Sequence, residues 1–229
     1  MQKIINKYKD QEYDVFSAKF ISDCIHQKLS NSKLPITIAL SGGTTPLPIL
    51  NILKEASIDW SRVSFYMVDE RCVALKDPSC NYSNIYTKFL KFIPSKSYPM
   101  ISSSSDFAKD AANYNELLEA SLPKNNSGIP QFDLILLGMG EDGHTASLFP
   151  NTDALYETSK KVVLNEVPML DTQRITLTYP VLLASKEVFV LCKGKKKEEI
   201  INEIYTNKGA SYPITKIAKE HPNFKWLIA

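Results

Sequence analysis

A chain of 229 residues, 44% of them hydrophobic, is long enough for one large α/β domain or two small ones. Its formal charge of +2 is too small for a nucleic-acid footprint, and the lysines of Met1–Asp10 lead into no apolar signal core. No apolar run approaches the length of a membrane-spanning helix, so a cytoplasmic enzyme or binding protein is the expectation.

Taken in chain order, apolar residues at helical spacing (Phe16, Phe20, Ile21, Cys24, Ile25) predict an amphipathic helix over Val15–Leu29, with His26 beside the stripe in a surface or packing role. A short apolar strand, Ile36–Leu40, runs into Ser41-Gly42-Gly43-Thr44-Thr45-Pro46 and then a helix at Leu47–Ala56. A second strand, Val63–Val68, leads into Asp69-Glu70-Arg71. Asn81–Phe92 and Phe107–Leu122 read as helices, with loops at Ser102–Ser105 and Asn125–Pro130. Phe132–Leu137 is short, apolar and bounded by glycine, as expected of a central parallel strand.

Downstream come a strand at Arg174–Thr178, a short helix after Pro180, a strand at Val188–Cys192 and a lysine-led helix over Lys195–Tyr205. A helical turn at Ile214–Lys219 precedes a last strand at Lys225–Ile228; His221 ends that turn, where it can meet the helix carbonyls. Cys24, Cys72, Cys80 and Cys192 are scattered, with no C-x-x-C pair and no histidine at zinc spacing. That predicts buried small hydrophobes in a reducing compartment, without disulfides or a structural metal. The alternation of strands and helices implies one α/β domain over 1–229, with a mainly parallel sheet covered on both faces.

In such sheets ligands bind beyond the carboxyl ends of the strands, which turns three strand exits into one candidate site. In the first, two glycines let backbone approach a ligand, the threonines supply hydroxyls, and Pro46 suits the first helical position. The free N–H groups there suit an anion; a plain threonine-capped turn is the alternative. In the second, Arg71 can hold an anionic oxygen or steady developing negative charge, against the alternative of a solvated loop.

The third, Gly138-Met139-Gly140-Glu141-Asp142-Gly143, matches the G-x-G-x-x-G dinucleotide pattern. Yet Glu141 and Asp142 put negative charge where a pyrophosphate would sit, and Pro150 limits the next helix to about two turns. What remains is Asp142-Gly143-His144: a general base oriented by a carboxylate, or else a histidine capping that short helix. Lys193-Gly194-Lys195-Lys196-Lys197 opens a helix, where positive charge opposes the macrodipole unless an anion binds; Arg174 is a second candidate cation. No G-x-S-x-G elbow, H-E-x-x-H or P-loop is present, so a hydrolytic reading rests on activated water.

Taken together, SGGTTP, DERCV, GMGEDGHTASLFP, RITLT and GKKKEE span positions 41 to about 199 and resemble the 6-phosphogluconolactonase family. The resemblance implies a three-layer αβα sandwich with a Rossmann-like sheet, shared with sugar-phosphate isomerases. It implies hydrolysis of 6-phospho-D-glucono-1,5-lactone in the oxidative pentose phosphate pathway. Matching positions imply His144, Asp142, Arg71 and Asp69 for catalysis. Gly42, Gly43, Thr44, Thr45, Arg174 and Lys197 are implied for the 6-phosphate, leaving Lys195 and Lys196 solvated. The related glucosamine-6-phosphate deaminases resemble A-F-N-E-P where this chain has Ala146-Ser147-Leu148-Phe149-Pro150, so Phe149 replaces an acid. One departure from the lactonase pattern is Cys80, where serine is usual before the asparagine. The same resemblance implies a monomer acting on a small sugar-phosphate lactone, in transient association with glucose-6-phosphate dehydrogenase, with no cofactor, metal, nucleic acid or membrane.

Overall fold

The computed structural model describes residues 4–102, 106–206 and 211–229; most of the serine-rich loop expected over Ser102–Ser105, and the first residues of Met1–Asp10, lie outside them. Among the described residues the strands are β1 (Ile4–Lys7), β2 (Ile36–Leu40), β3 (Val63–Met67), β4 (Asp69–Arg71), β5 (Lys96–Tyr98), β6 (Leu134–Gly138), β7 (Val162–Val167), β8 (Thr172–Leu177), β9 (Val188–Cys192) and β10 (Phe224–Ile228). The helices are α1 (Tyr13–Asn31), α2 (Pro46–Leu53), α3 (Asn81–Lys88), α4 (Phe107–Ser121), α5 (Tyr179–Ala184), α6 (Lys195–Thr206) and α7 (Pro213–Glu220).

Seven strands pair in the order β1-β10-β9-β6-β2-β3-β5, every neighbour parallel. Strands β2 and β9 are buried at every residue, which requires cover on both faces of the sheet. Helices supply it: α1 packs on α2 and α2 on α3, while α5 packs on α7. Helix α1 turns Ile21, Ile25 and Leu29 inward at four-residue spacing. The phenol of Tyr13 closes its start by donating to the Leu227 carbonyl at 3.1 Å. Phe65, Phe89, Phe132 and Phe189 are fully enclosed, each worth roughly 1.5–3 kcal/mol of burial. No described helix is long and apolar enough to cross a membrane.

The chain leaves β2 for β3 and β5 on one side, then returns to place β6 and β9 on the other. The gap between β2 and β6 is therefore the topological switch point, where a crevice opens beyond the strand ends. Ser41–Thr45 leaves β2 there, and the glycine loop leaves β6 beside it.

Several expectations are corrected. Asp69-Glu70-Arg71 is a strand, β4, paired with β8 and β7 in a separate antiparallel sheet. The strand expected at Arg174–Thr178 thus belongs to that sheet. Its partner β7, like the short edge strands β1 and β5, is not signalled by a clean apolar alternation. No helix comes after Gly143: residues 141–150 form turns closed by a Thr145–Leu148 bridge. The helix expected over Asn81–Phe92 ends at Lys88, and Leu90–Phe92 is a separate 3-10 turn. His221 is buried; its backbone N–H donates to the Ile217 carbonyl of its own helix at 3.0 Å, as expected, while its ring Nε2 also lies 2.8 Å from the Ser185 carbonyl just past α5. Cys24, Cys80 and Cys192 are buried free thiols, but Cys72 is only half-buried.

Candidate active site

The three strand exits enclose a cavity of about 180 Å³. Its walls include Gly42, Gly43, Thr44 and Thr45 from the β2 loop, Asp69 and Arg71 from β4, His144 from the β6 loop, and Lys197 from α6. Asp142 stands behind His144 rather than on the wall, and Arg174 is not brought to the wall either. Larger clefts exist elsewhere, including one of about 640 Å³ beside α7, which is lined by residues such as Tyr179, Tyr212 and Lys216 rather than by the three strand exits.

At one end, Thr45 precedes α2 and Pro46 begins it. The Thr45 hydroxyl makes no capping bond, so the plain capped turn is not what the residues build. Gly42 is required by crowding: a Cβ there would lie 2.1 Å from Asn81 Oδ1. Lys197, in the first turn of α6, contributes to the wall as well. Its neighbours are engaged otherwise: Lys195 reaches Glu199 at 3.9 Å, and Lys196 reaches Glu141 at 3.0 Å, so Lys196 is not simply solvated. Arg174 lies in register with Arg71 across β4 and β8, and its Nη1 donates to Thr172 Oγ1 at 2.6 Å and to the Gln173 carbonyl at 2.9 Å. Burial and the Arg71 charge beside it pull its pKa below the usual arginine value.

At the other end, the β6 loop folds back on itself. The Gly140 N–H donates to the His144 carbonyl at 2.9 Å, and the Gly143 N–H to the Gly140 carbonyl at 3.1 Å. That turn brings His144 Nδ1 to 2.6 Å from Asp142 Oδ1, which also accepts the His144 backbone N–H at 3.1 Å. Burial alone would raise the Asp142 carboxyl, but these bonds from His144 outweigh it and hold its pKa below the ordinary value. A carboxylate at Nδ1 makes that nitrogen the donor, so in the neutral ring the lone pair lies on Nε2.

Asp69 faces the same cavity from β4. Its Oδ2 accepts the Ser147 hydroxyl at 2.7 Å. Burial raises its pKa, opposed by that bond and by the charges of Arg71, His144 and Arg174. Glu70 points the other way and is fully enclosed. It accepts the backbone N–H groups of Arg71 at 2.8 Å, Asn81 at 2.7 Å and Tyr82 at 2.7 Å, and the Cys80 thiol at 3.5 Å. The thiol therefore takes the bonding place beside Glu70 at a position where the resemblance expects a hydroxyl. Asn81, fixed by that carboxylate, turns its side-chain amide to the Asp69 carbonyl at 3.1 Å and enters the cavity wall.

Asn81 and Ser147 are site residues that motif reading passed over. The first looks like an ordinary helix start and the second like part of a turn. Only the fold brings them to Gly42 and Asp69. Among the described residues no cluster of three or more histidine, cysteine, aspartate or glutamate side chains is gathered for a metal. The arrangement brings an imidazole, a guanidinium, an ammonium and two threonines to one cavity.

Residues 11–226 match the family model described as glucosamine-6-phosphate isomerases/6-phosphogluconolactonase. The chain is 36% identical over 200 residues to a 6-phosphogluconolactonase of Chlamydia pneumoniae, covering 84% of this chain and 74% of the relative. It superposes on the structure of 6-phosphogluconolactonase from Trypanosoma brucei with a TM-score of 0.87 at 26% identity, covering 99% of this chain and 96% of that one. It is also 34% identical over 175 residues to the GDH/6PGL endoplasmic bifunctional protein of Oryctolagus cuniculus, covering 71% of this chain and 21% of that protein.

Proposed function

The chain belongs to the glucosamine-6-phosphate isomerase/6-phosphogluconolactonase family, and from that premise we propose that it hydrolyses 6-phospho-D-glucono-1,5-lactone to 6-phosphogluconate with water activated by His144. The observation that carries this reading is the 2.6 Å contact between Asp142 and His144 Nδ1 beside an open cavity lined by Arg71 and Lys197. Such a contact orients a neutral imidazole with one lone pair available for a proton.

The phosphate is held by Thr44, Thr45, the Gly42–Gly43 backbone and Lys197, with Arg174 adding positive field from behind Arg71. His144 Nε2 takes a proton from water as the water oxygen attacks C1. The carbonyl electrons move onto oxygen, and Arg71 or loop N–H groups offset the charge. When the carbonyl re-forms, the bond between C1 and the ring oxygen breaks, and His144 returns its proton to that oxygen. The catalyst ends unchanged, and water has been added across the lactone. Asp142 orients the base; Asp69 accepts a hydrogen bond from a sugar hydroxyl or from the water.

Phe149 supports hydrolysis over deamination, because it cannot transfer the proton that opening an amino-sugar ring needs. The bifunctional relative, with two activities on one chain, supports a transient partnership with glucose-6-phosphate dehydrogenase. The test is a coupled assay of lactone hydrolysis on His144→Asn, with glucosamine 6-phosphate deamination as control. The variant is expected to lose on the order of a hundred- to ten-thousand-fold in turnover, the usual worth of a general base. Full turnover by a folded variant, or deamination by the parent, overturns the reading.

A further inference from the structure

A single hydrogen bond does not hold an imidazole still. The bond to Asp142 fixes which nitrogen carries the proton, but the ring can still roll about that bond and carry Nε2 out of the cavity. Its side chain is 28% exposed, so solvent offers room for such a roll. Two contacts restrict it. The backbone of Gly140 presses against one ring edge, where a Cβ would lie 2.2 Å from both Nδ1 and Cε1. The ring of Phe149 lies on the face, with centroids 4.0 Å apart and planes 28° apart.

Phe149 is itself built in. It is 6% exposed, and its carbonyl accepts the Thr152 hydroxyl at 2.8 Å. Thr152 in turn accepts from Asn165 Nδ2 at 3.1 Å, and the same amide reaches the Ser147 carbonyl at 2.9 Å. Asn165 belongs to β7 and is buried. The small antiparallel sheet therefore anchors the segment that presents the phenyl ring to the imidazole.

We propose that Phe149 is a positioning residue, whose ring is the platform that keeps Nε2 of His144 aimed at the carbon under attack. The inference rests on reading His144 as the base. It assigns to the phenyl ring a role of its own, beyond filling the space of an absent acid. Displacing a catalytic group by about 1 Å can cost on the order of a hundredfold in rate, while substrate binding is untouched when the displaced group does not hold the substrate.

The experiment measures kcat and KM for the phosphorylated lactone in Phe149→Leu, Phe149→Met and Phe149→Tyr, each confirmed folded by circular dichroism, with His144→Asn alone and combined with Phe149→Leu. The Leu and Met variants are expected to lose about 10- to 100-fold in kcat with KM within about twofold of the parent. The Tyr variant, which restores an aromatic face, is expected within about threefold of the parent. Added to His144→Asn, the Leu change is expected to cost nothing further, because a platform without a base has nothing to position. Undiminished kcat in both non-aromatic variants, or an equal further loss in the His144→Asn background, overturns the proposal and leaves the general base standing. Full turnover by His144→Asn alone instead removes the reading on which the proposal rests.

Discussion

The two ends of the cavity are built on opposite plans. At the end we propose for the phosphate, the side chains of Thr44, Thr45 and Lys197 make no hydrogen bond or ion pair with another described residue, and Gly43 and Thr44 are exposed. At the end proposed for hydrolysis the polar side chains are engaged: His144 with Asp142, Asp69 with Ser147, Asn165 with Thr152. A group that anchors a ligand keeps its bonding capacity for that ligand. A group that must act on a reacting atom is fixed in advance, because its orientation enters the barrier directly. The difference predicts that damage at the two ends separates into KM and kcat.

The largest separation is expected from Asp142→Asn. An amide beside Nδ1 no longer enforces the tautomer with Nε2 free, so kcat should fall on the order of a hundredfold while KM barely moves. Steady-state kinetics across pH check it. The lowered pKa of Asp142 adds a sign: the parent keeps this carboxylate ionised until the pH falls below the ordinary value near 3.9. Acid inactivation in the pH 5–6 range therefore does not come from Asp142. A KM effect larger than the kcat effect breaks the division between the ends.

Lys197→Ala is the counterpart. Losing one charge-assisted bond to phosphate, about 1.5–3 kcal/mol, raises KM roughly 10- to 150-fold with kcat nearly preserved. The effect should vanish for the unphosphorylated lactone. Arg174→Ala is expected to raise KM less, because Arg174 is off the wall and already bonded to Thr172 and Gln173.

This contrast also explains how much could be read from residues alone. The turn from β2 into α2 was legible because it is local: Gly42 to Pro46 are contiguous, and a strand, two glycines and a proline announce a turn into a helix. The Asp142–His144 pair was legible for the same reason, being two residues apart. Its supports were not. Ser147 meets Asp69 across 78 residues, and Asn165 reaches back 18 residues to the Ser147 carbonyl. Strand β7, which carries Asn165, holds the polar pair Asn165-Glu166 inside an otherwise apolar segment and sits in a sheet that the parallel alternation did not announce. β4 was hidden because three charged residues after a strand look like a loop until β8 pairs with them.

A smaller effect, of opposite sign on stability, is expected from Asp69→Asn. Burial raises the pKa of Asp69 in the folded state, so its ionised form costs stability above that pKa, and the cost is relieved as the pH falls through it. The amide can still accept from Ser147 without the charge. Thermal unfolding at neutral pH should therefore rise by about 2–4 °C, the shift that roughly 1 kcal/mol produces in a chain of this size. The gain should shrink toward acid, while turnover falls. A variant less stable than the parent at neutral pH would show that the site's field more than offsets the burial of this carboxylate.

The smallest effect is expected one residue from one of the largest. Lys196 precedes Lys197 on the same helix turn, yet its ammonium lies 3.0 Å from Glu141 on the β6 loop, with both side chains more than half exposed. Exposed pairs contribute only about 0–1 kcal/mol, so Lys196→Ala should change KM by no more than about twofold and leave the unfolding midpoint nearly unchanged. Sequence proximity alone cannot separate the two lysines; the cavity wall does, since Lys197 contributes to it and Lys196 does not. If Lys196→Ala raised KM as strongly as Lys197→Ala, the anion would be held by the lysine cluster as a diffuse field. The phosphate end would then owe its affinity to net charge, and the unpaired groups around Gly43 would lose their special standing.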